Sequence, residues 1–470
     1  MTTKPPQHFT SDEFREAGQA AIDWIADYME NLEARPVSPS VKPGDVRASL
    51  PERAPESPEP FSDLLNDVNS MIAPAITHWQ HPSFFGYFPC NASPPAIIGE
   101  LISAGLGVNG MLWSTSPACT ELETHMLDWL LDLCGLPEIF RSGGKGGGVI
   151  QDSASSASLC ALLAARDRSG GAVELPKLVA YTSTQAHSSI EKDIRIAGFE
   201  SAQLRKIDVD DEFAMSAEEL EQIINIDLEN GLIPCFISAT IGTTSSGAVD
   251  PIPEIAAIAK KVGAWVHVDA AWAGSAAVCP EHRSFLKGLE NVDSYAFNPH
   301  KWLLTNFDCT AFYVSDSTYL IESLSIVPEY LKNTASDSGE VIDYRDWQVP
   351  LGRRFRSLKL WFVLRSYGAE GLRAHIRHHI EAAESFAERI SEHPKLVLAA
   401  PVSLSLVCFS HIDGEEATRE LHETLNGTGE ALLTHTRLGE NYVLRMAIGG
   451  TWTTSEHVER VSDLIDEILG

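Results

Sequence analysis

"SYAFNPHKWLL", residues 294–304, puts a lysine where a strand should end. The run Ser294–Phe297 has the aromatic content of a buried strand, and Asn298-Pro299 stops it. His300, Lys301 and Trp302 follow, ahead of the apolar pair Leu303-Leu304. Lys301 has two readings. It is a strand-end charge whose stem lies on apolar surface while its head reaches water, or it is an amine held in a pocket, with a pKa lowered so that it can attack carbonyls. The surrounding pattern bears on the choice, because ligands of open α/β sheets bind at the carboxyl ends of strands.

From about Ser83 to Trp347, helical stretches such as "PIPEIAAIAKKVG" alternate with short runs rich in β-branched and aromatic residues: "KLVAYTS", "IPCFISAT", "AWVHVDAA", "SYAFNPH" and "TAFYVS". This predicts an α/β domain with a large, mostly parallel sheet. Upstream, "SDEFREAGQAAIDWIADYMENLEAR" has helical spacing, with Ser11 or Asp12 as the expected cap. The proline-rich, charged "RPVSPSVKPGDVRASLPERAPESPEP" then reads as an extended crossing segment. A single helix plus such an arm has no core of its own and must pack on another domain or subunit. Downstream come a long helical region broken near Gly368 and Gly371, the strand-like runs "LSLVCFS" and "YVLRMAIG", and a last helix. The expected division is a helical arm over 1–82, a large α/β domain over 83–355 and a small α+β domain over 356–470.

Composition narrows the partners. The chain carries 35 Lys+Arg against 65 Asp+Glu, a formal charge of −30, which repels phosphate backbones and anionic lipid. No apolar run is long enough to span a bilayer. The start, "MTTKPPQHFTSDEF", has no apolar signal region, and the eight cysteines form no CxxC pair, so the expectation is a cytoplasmic protein with reduced thiols.

Several loops could carry chemistry. In "GGKGGGVIQDSASSASLCALLAAR", Ser153, Ala154 and Ser155 open a helix; they form either a plain cap or an anion cradle. "AGLGVNG" contains a formal GxGxxG, but it follows a helix rather than a strand, so it is not a dinucleotide fingerprint. "WVHVDAAWAG" ends a strand in Asp269, either a structural acid or the partner of a cationic ring nitrogen. His187 ends another strand and is structural or stacks on a flat cofactor. "HIRHH" (His375, His378, His379) has metal-compatible spacing, but no carboxylate completes a set, so a solvated face is expected and no metal. Asn426-Gly427-Thr428 is a formal glycosylation acceptor, without consequence in a cytosolic protein. A phosphate cradle, a strand-end acid, a stackable imidazole and a strand-end lysine are together the parts that hold pyridoxal phosphate.

"NPHKWLL" (298–304), "HVDAAWAGS" (267–275), "SPACTELE" (116–123), "HPSFFGYFP" (81–89), "GGGVIQDSAS" (146–155), "QAHSSIEK" (185–192), "DYRDWQVPLGRRFRSLKLW" (343–361) and "YVLRMAIG" (442–449) run in order over nearly the whole chain. In these motifs the sequence resembles the pyridoxal-phosphate-dependent decarboxylases of the aromatic-L-amino-acid decarboxylase group. The resemblance implies the aspartate-aminotransferase-like fold (fold type I of the PLP-dependent transferases) and a homodimer whose arm wraps the partner. It implies that Lys301 carries the cofactor as a Schiff base, Asp269 pairs with the pyridinium nitrogen, His187 stacks on the ring and Ala271 packs on its other face. Ser153, Ala154, Ser155, Asn298 and His300 would hold the phosphate, with Thr244 near the ring substituents. Asp152 stands where the family has glycine, and so close to a phosphate it should point away.

Tyr330, in "SIVPEYLKNTASDSGEVIDY", matches the loop tyrosine that protonates Cα in the family. Aldehyde-forming relatives carry phenylalanine there or asparagine for the histidine, so Tyr330 and His187 favour simple decarboxylation. The resemblance assigns the substrate pocket to Trp79, Tyr87, Phe88, Pro89 and Cys90, with Asn109 and Met111 supplied across the dimer. Gly352 resembles the glycine of indole-preferring members, which favours tryptophan and leaves dopa, 5-hydroxytryptophan, tyrosine and phenylalanine open. The rival readings are an aminotransferase that clamps the substrate carboxylate with Arg445, a decarboxylase of histidine or an acidic amino acid, and a catalytically dead binding protein.

Overall fold

Strands that bury both faces need apolar side chains on both, and this chain supplies them in alternation. The computed structural model describes residues 8–326 and 341–470. Its larger sheet contains β1 (Gly147–Gln151), β2 (Leu178–Ser183), β3 (Leu204–Ile207), β4 (Ile233–Thr240), β5 (Trp265–Asp269), β6 (Ser294–Phe297) and β7 (Thr310–Val314). The order is β1-β7-β6-β5-β4-β2-β3, and β7 alone runs antiparallel to its neighbours. Tyr181, Ile237, Val268, Tyr295 and Phe297 face one core; Ala180, Phe236, Trp265, Ala296 and Phe312 face the other. The predicted mostly parallel sheet is present. The sequence reading missed β3, an edge strand in which only Ile207 is buried and whose Arg205 and Lys206 broke the apolar pattern.

A second, antiparallel sheet has the order β10-β11-β9-β8, from β8 (Leu396–Leu398), β9 (Leu406–His411), β10 (Thr434–Leu438) and β11 (Asn441–Ala447). Phe386, Phe409, Leu444 and Ile465 centre the core beneath it.

The first helix, Ser11–Glu30, is capped by Thr10 and not by Ser11 or Asp12. Thr10 Oγ1 accepts the Glu13 N–H at 3.2 Å and Glu13 Oε2 accepts the Thr10 N–H at 2.7 Å, a reciprocal capping box. None of its residues is buried in this chain. In the long helix Arg356–Glu392 only Gly368 leaves helical geometry, at φ 61°. The "HIRHH" tract on this helix is not a solvated face. His379 is 1 % exposed and its Nδ1 accepts the Trp302 indole N–H at 3.0 Å, with the His375 ring 4.4 Å away. The alternation of charge and histidine hid a buried stripe that supports the segment carrying Lys301. No metal-binding cluster occurs among the described residues.

Helix Pro94–Leu106 crosses the long helix at Gly99, where a Cβ would lie 2.7 Å from the Lys359 Cα. Lys359 is fully buried there and pairs with Glu100 at 2.9 Å. Gly99→Ala should therefore force the helices apart and cost about 1–3 kcal/mol, read as a lower urea midpoint at unchanged slope.

Candidate active site

The parallel strands deliver their carboxyl ends to one side of the sheet, and the site is built from the loops and helix starts beyond those ends. β1 leads into helix Ala154–Arg168, capped by Ser153, whose Oγ accepts the Ser156 N–H at 3.2 Å. The first-turn amides of Ala154 and Ser155 have no intrahelical acceptor and point out of the helix end. β2 leads to His187, β4 to Thr244, β5 ends in Asp269, and β6 leads through Asn298 into the short helix Pro299–Trp302 with His300 and Lys301. Leu304, at φ 54°, reverses the chain after that helix, held by its N–H on Asn91 Oδ1 at 2.9 Å.

These residues surround one inner cavity of ≈ 230 Å³. Ser153, Ala154, Ser155, His187, Thr244, Asp269, Ala271, Asn298, His300 and Lys301 all line it. Ser189, Thr240, Gly242, Trp272 and Phe307 complete the wall. Asp152 lines neither this cavity nor the next. A larger cavity of ≈ 990 Å³ opens outward from Lys301, His187, Thr244, His300 and Phe307. Its walls include the predicted Trp79, Tyr87, Phe88, Pro89 and Cys90, together with Arg445. Sequence reasoning missed its far side: His422, Asn426 and residues 432–436, which run into β10. The pattern of β10, "THTRL", is too polar to read as a strand. Asn426, read as a glycosylation acceptor, is tied inward by the Leu433 N–H on its Oδ1 at 2.9 Å.

Asn109, Met111 and Gly352 are brought together elsewhere. The Arg353 N–H donates to Asn109 Oδ1 at 2.9 Å, and a Cβ on Gly352 would meet only Asn109 Nδ2, at 3.9 Å. They line neither cavity within this chain. Tyr330 lies outside the described residues.

Burial sets the protonation states. Burial holds the Lys301 amine below its ordinary pKa; Asp269 opposes this and Arg445 adds to it. The amine lies 5.4 Å from the Phe88 ring centroid, and the Arg445 guanidinium lies 5.1 Å from that same ring. Phe88 in turn stacks on Trp272 at 4.6 Å. Asp269 is 8 % exposed and accepts the Ala271 N–H at 2.9 Å. Burial also lowers His187, and its Nδ1 accepts the Ser189 N–H at 3.2 Å, which puts the remaining ring proton on Nε2. His300 is pushed down to about 3 by burial, so its imidazole is neutral, with Nδ1 accepting the Cys309 N–H at 3.0 Å.

This donor set suits pyridoxal phosphate: helix-end amides and hydroxyls for a dianion, a carboxylate for a ring N–H⁺ and a depressed amine for an aldehyde. Fold and site thus define the class, a pyridoxal-phosphate-dependent enzyme. The chain belongs to the pyridoxal-dependent decarboxylase family, whose conserved-domain model matches residues 43–412. It is 47% identical over 469 residues to phenylacetaldehyde synthase of Arabidopsis thaliana, covering 97% of this chain and 96% of that one. It is 45% identical to tryptophan decarboxylase 2 of Oryza sativa subsp. japonica, covering 97% and 94%. Among solved structures, Oryza sativa TDC with PLP and tryptamine superposes with a TM-score of 0.96 at 41% identity, covering 98% of each chain. The protein is thus a carboxy-lyase of the aromatic amino acid decarboxylase group, which sets aside the aminotransferase reading of Arg445. Among the described residues no helix is long and apolar enough to cross a membrane.

The two charges flanking Lys301 act in opposite directions, so their removal should split its titration. In apoprotein, Asp269→Asn should move the Lys301 pKa further down and Arg445→Met should move it up. The pH dependence of Lys301 acylation, followed by peptide mass spectrometry, measures both.

Proposed function

We propose that the protein converts aromatic L-amino acids to arylalkylamines and CO2, with tryptophan favoured, and that it works as a homodimer. The carrying observation is the aromatic wall over the lysine. Trp79 and Tyr87 stack at 5.5 Å, and Phe88 lies directly against the Lys301 amine. Tyr87 is held at φ 56° by Thr434 Oγ1 on its N–H at 3.1 Å and by Arg445 on its carbonyl at 3.3 Å. This arrangement presents flat apolar faces to a planar side chain. The polar groups of the same cavity, His422, Asn426, His435 and Arg445, stand on its other walls.

Bound in the inner cavity, pyridoxal phosphate supplies the electron sink that accepts the pair left by departing CO2. Lys301 would hold the cofactor and yield to the substrate amine. Asp269 would keep the ring nitrogen protonated, and His187 would lie on the ring face with Nε2–H toward the substrate. Ala271 would cover the opposite face, and Ser153, Ala154, Ser155, Asn298 and His300 would take the phosphate. Tyr330 would deliver the proton to Cα. Phe88, stacked on Trp272, gives the amine an apolar neighbour, and an apolar setting would favour loss of a charged carboxylate.

The homodimer has its own support. Ile98, Leu101, Ile102, Leu106 and Val108 stand exposed on or just beyond helix Pro94–Leu106, between 37% and 56% accessible. The N-terminal helix likewise leaves Phe14 and Ile22 uncovered. Asn109 and Met111 adjoin this apolar surface, the position required if they complete the partner's pocket.

A second reading follows from the similarity to a phenylacetaldehyde synthase: oxidative decarboxylation to an aldehyde. Purified holoenzyme assayed with tryptophan, dopa, tyrosine, phenylalanine, histidine and glutamate, with amine, aldehyde and CO2 quantified, decides between them. Tryptamine with stoichiometric CO2 is expected. Aldehyde with ammonia and peroxide would install the second reading, and turnover confined to histidine or glutamate would overturn both.

Gly352 supplies a further test. Its Cβ position is open, so serine folds there without strain and narrows only the space beside Asn109. Gly352→Ser should lower kcat/KM for tryptophan relative to tyrosine by about tenfold, in line with about 1–3 kcal/mol for a change of this size in a pocket.

A further inference from the structure

Asn109, Met111 and Gly352 stand away from both cavities, yet a buried ion pair fixes where they lie. Arg353 follows Gly352 and is 4 % exposed; Glu123, on helix Pro117–Cys134, is 3 % exposed. Arg353 Nη2 donates to Glu123 Oε1 and, at 3.3 Å, to the Ile150 carbonyl. Arg353 Nη1 donates to Gln348 Oε1 at 2.5 Å. Glu123 Oε1 also accepts the Ile150 N–H at 2.7 Å. The main chain of Arg353 is held too. Its N–H donates to Asn109 Oδ1 at 2.9 Å, and its carbonyl accepts the Gly110 N–H at 3.0 Å. Further along the same contact, the Arg345 N–H donates to the Met111 carbonyl at 3.1 Å.

The cluster has two ends. One is β1, an edge strand that pairs only with β7. The ion pair takes up the outward N–H and carbonyl of Ile150, and Ser153 opens the cradle shortly after. The other end is the segment 109–111 with Gly352. Covering an edge strand does not call for charge, and a buried ion pair gains little over an apolar replacement. What a guanidinium adds is geometry: a rigid planar fork that reaches several acceptors at fixed angles. Here the fork meets the helix of Glu123, the strand of Ile150 and the loop of Gln348. It thereby fixes residues 352–353 and, through the main-chain bonds, Asn109.

We infer that Glu123 and Arg353 are positioning residues for the substrate pocket of the opposite subunit: the pair sets Asn109 and Gly352 where they meet an aromatic side chain bound by the partner. The inference rests on the proposed homodimer in which Asn109, Met111 and Gly352 complete the partner's pocket. The pair then acts in trans, on the neighbouring pocket, although it touches β1 of its own cradle.

Arg353→Lys keeps the charge and loses the fork. Glu123→Gln keeps an acceptor for the Ile150 N–H and loses the charge. Each homodimer should bind pyridoxal phosphate like wild type, read by titration of the visible absorbance. For the aromatic amino acid that wild type turns over fastest, KM should rise about tenfold with kcat changed much less.

Mixed dimers assign the direction, prepared by co-expressing subunits with different affinity tags. The first pairs an Arg353→Lys subunit with a Lys301→Ala subunit. Its live site combines Lys301 of the former with Asn109 and Gly352 of the latter, so it should show wild-type KM and half of wild-type kcat per dimer. The second pairs a wild-type subunit with one carrying both substitutions. Its live site meets the misplaced Asn109 and Gly352 and should keep the raised KM. The reverse pattern, raised KM in the first dimer and wild-type KM in the second, would overturn the inference, because the pair would then act on its own cradle. Unchanged KM in the Arg353→Lys and Glu123→Gln homodimers would overturn it as well. Should Arg353→Lys fail to fold, the same mixed dimers built with Glu123→Gln decide. A monomeric wild type, or an active Lys301→Ala homodimer, would overturn the underlying reading of the site and this inference with it.

Discussion

The structure turns on an amine set against an aromatic ring at the end of a strand. Burying a lysine head costs several kcal/mol if it is charged, and the chain meets that cost by shifting the amine toward neutrality. Everything near it serves that placement. β6 brings the chain to the edge, Asn298-Pro299 ends the strand, and the short helix turns Lys301 back over the sheet end. Trp302 anchors the helix on the far side by donating to the buried His379. Phe88 closes the near side and is itself stacked on Trp272. The large and small sheets thus meet near the amine, because Arg445 of β11 lies over the same Phe88 ring.

The fold was legible wherever burial wrote itself into the pattern. β2, β4, β5, β6, β7, β9 and β11 are apolar runs because their faces are covered, and each appears where the pattern put it. β3 and β10 escaped because edges need charge or polarity, and a polar strand resembles a loop; β8 escaped because it is only three residues long. The "HIRHH" tract misled for the opposite reason: histidine is polar in composition yet serves as a buried acceptor for Trp302. The inner cavity was legible because each of its groups follows a strand end in sequence. The outer cavity was only half so. Its aromatic wall is one contiguous stretch, 79–90, whereas His422, Asn426 and β10 come from more than 300 residues away and meet it only through tertiary packing. Thr10 escaped as a cap because three adjacent residues could each serve, and only the return bond from Glu13 selects one.

An acidic chain that binds a phosphorylated cofactor faces a contradiction, and the site shows how it is resolved. At a formal charge of −30 the far field repels a dianion. Screening removes that field beyond about 10 Å, so only the local groups matter once the ligand arrives. Those groups are arranged by sign. Helix-end amides and Lys301 face the cavity, Arg445 stands one ring away, and Asp152 is kept out of the lining despite its place beside Ser153. Asp269 is the acid that does line the cavity.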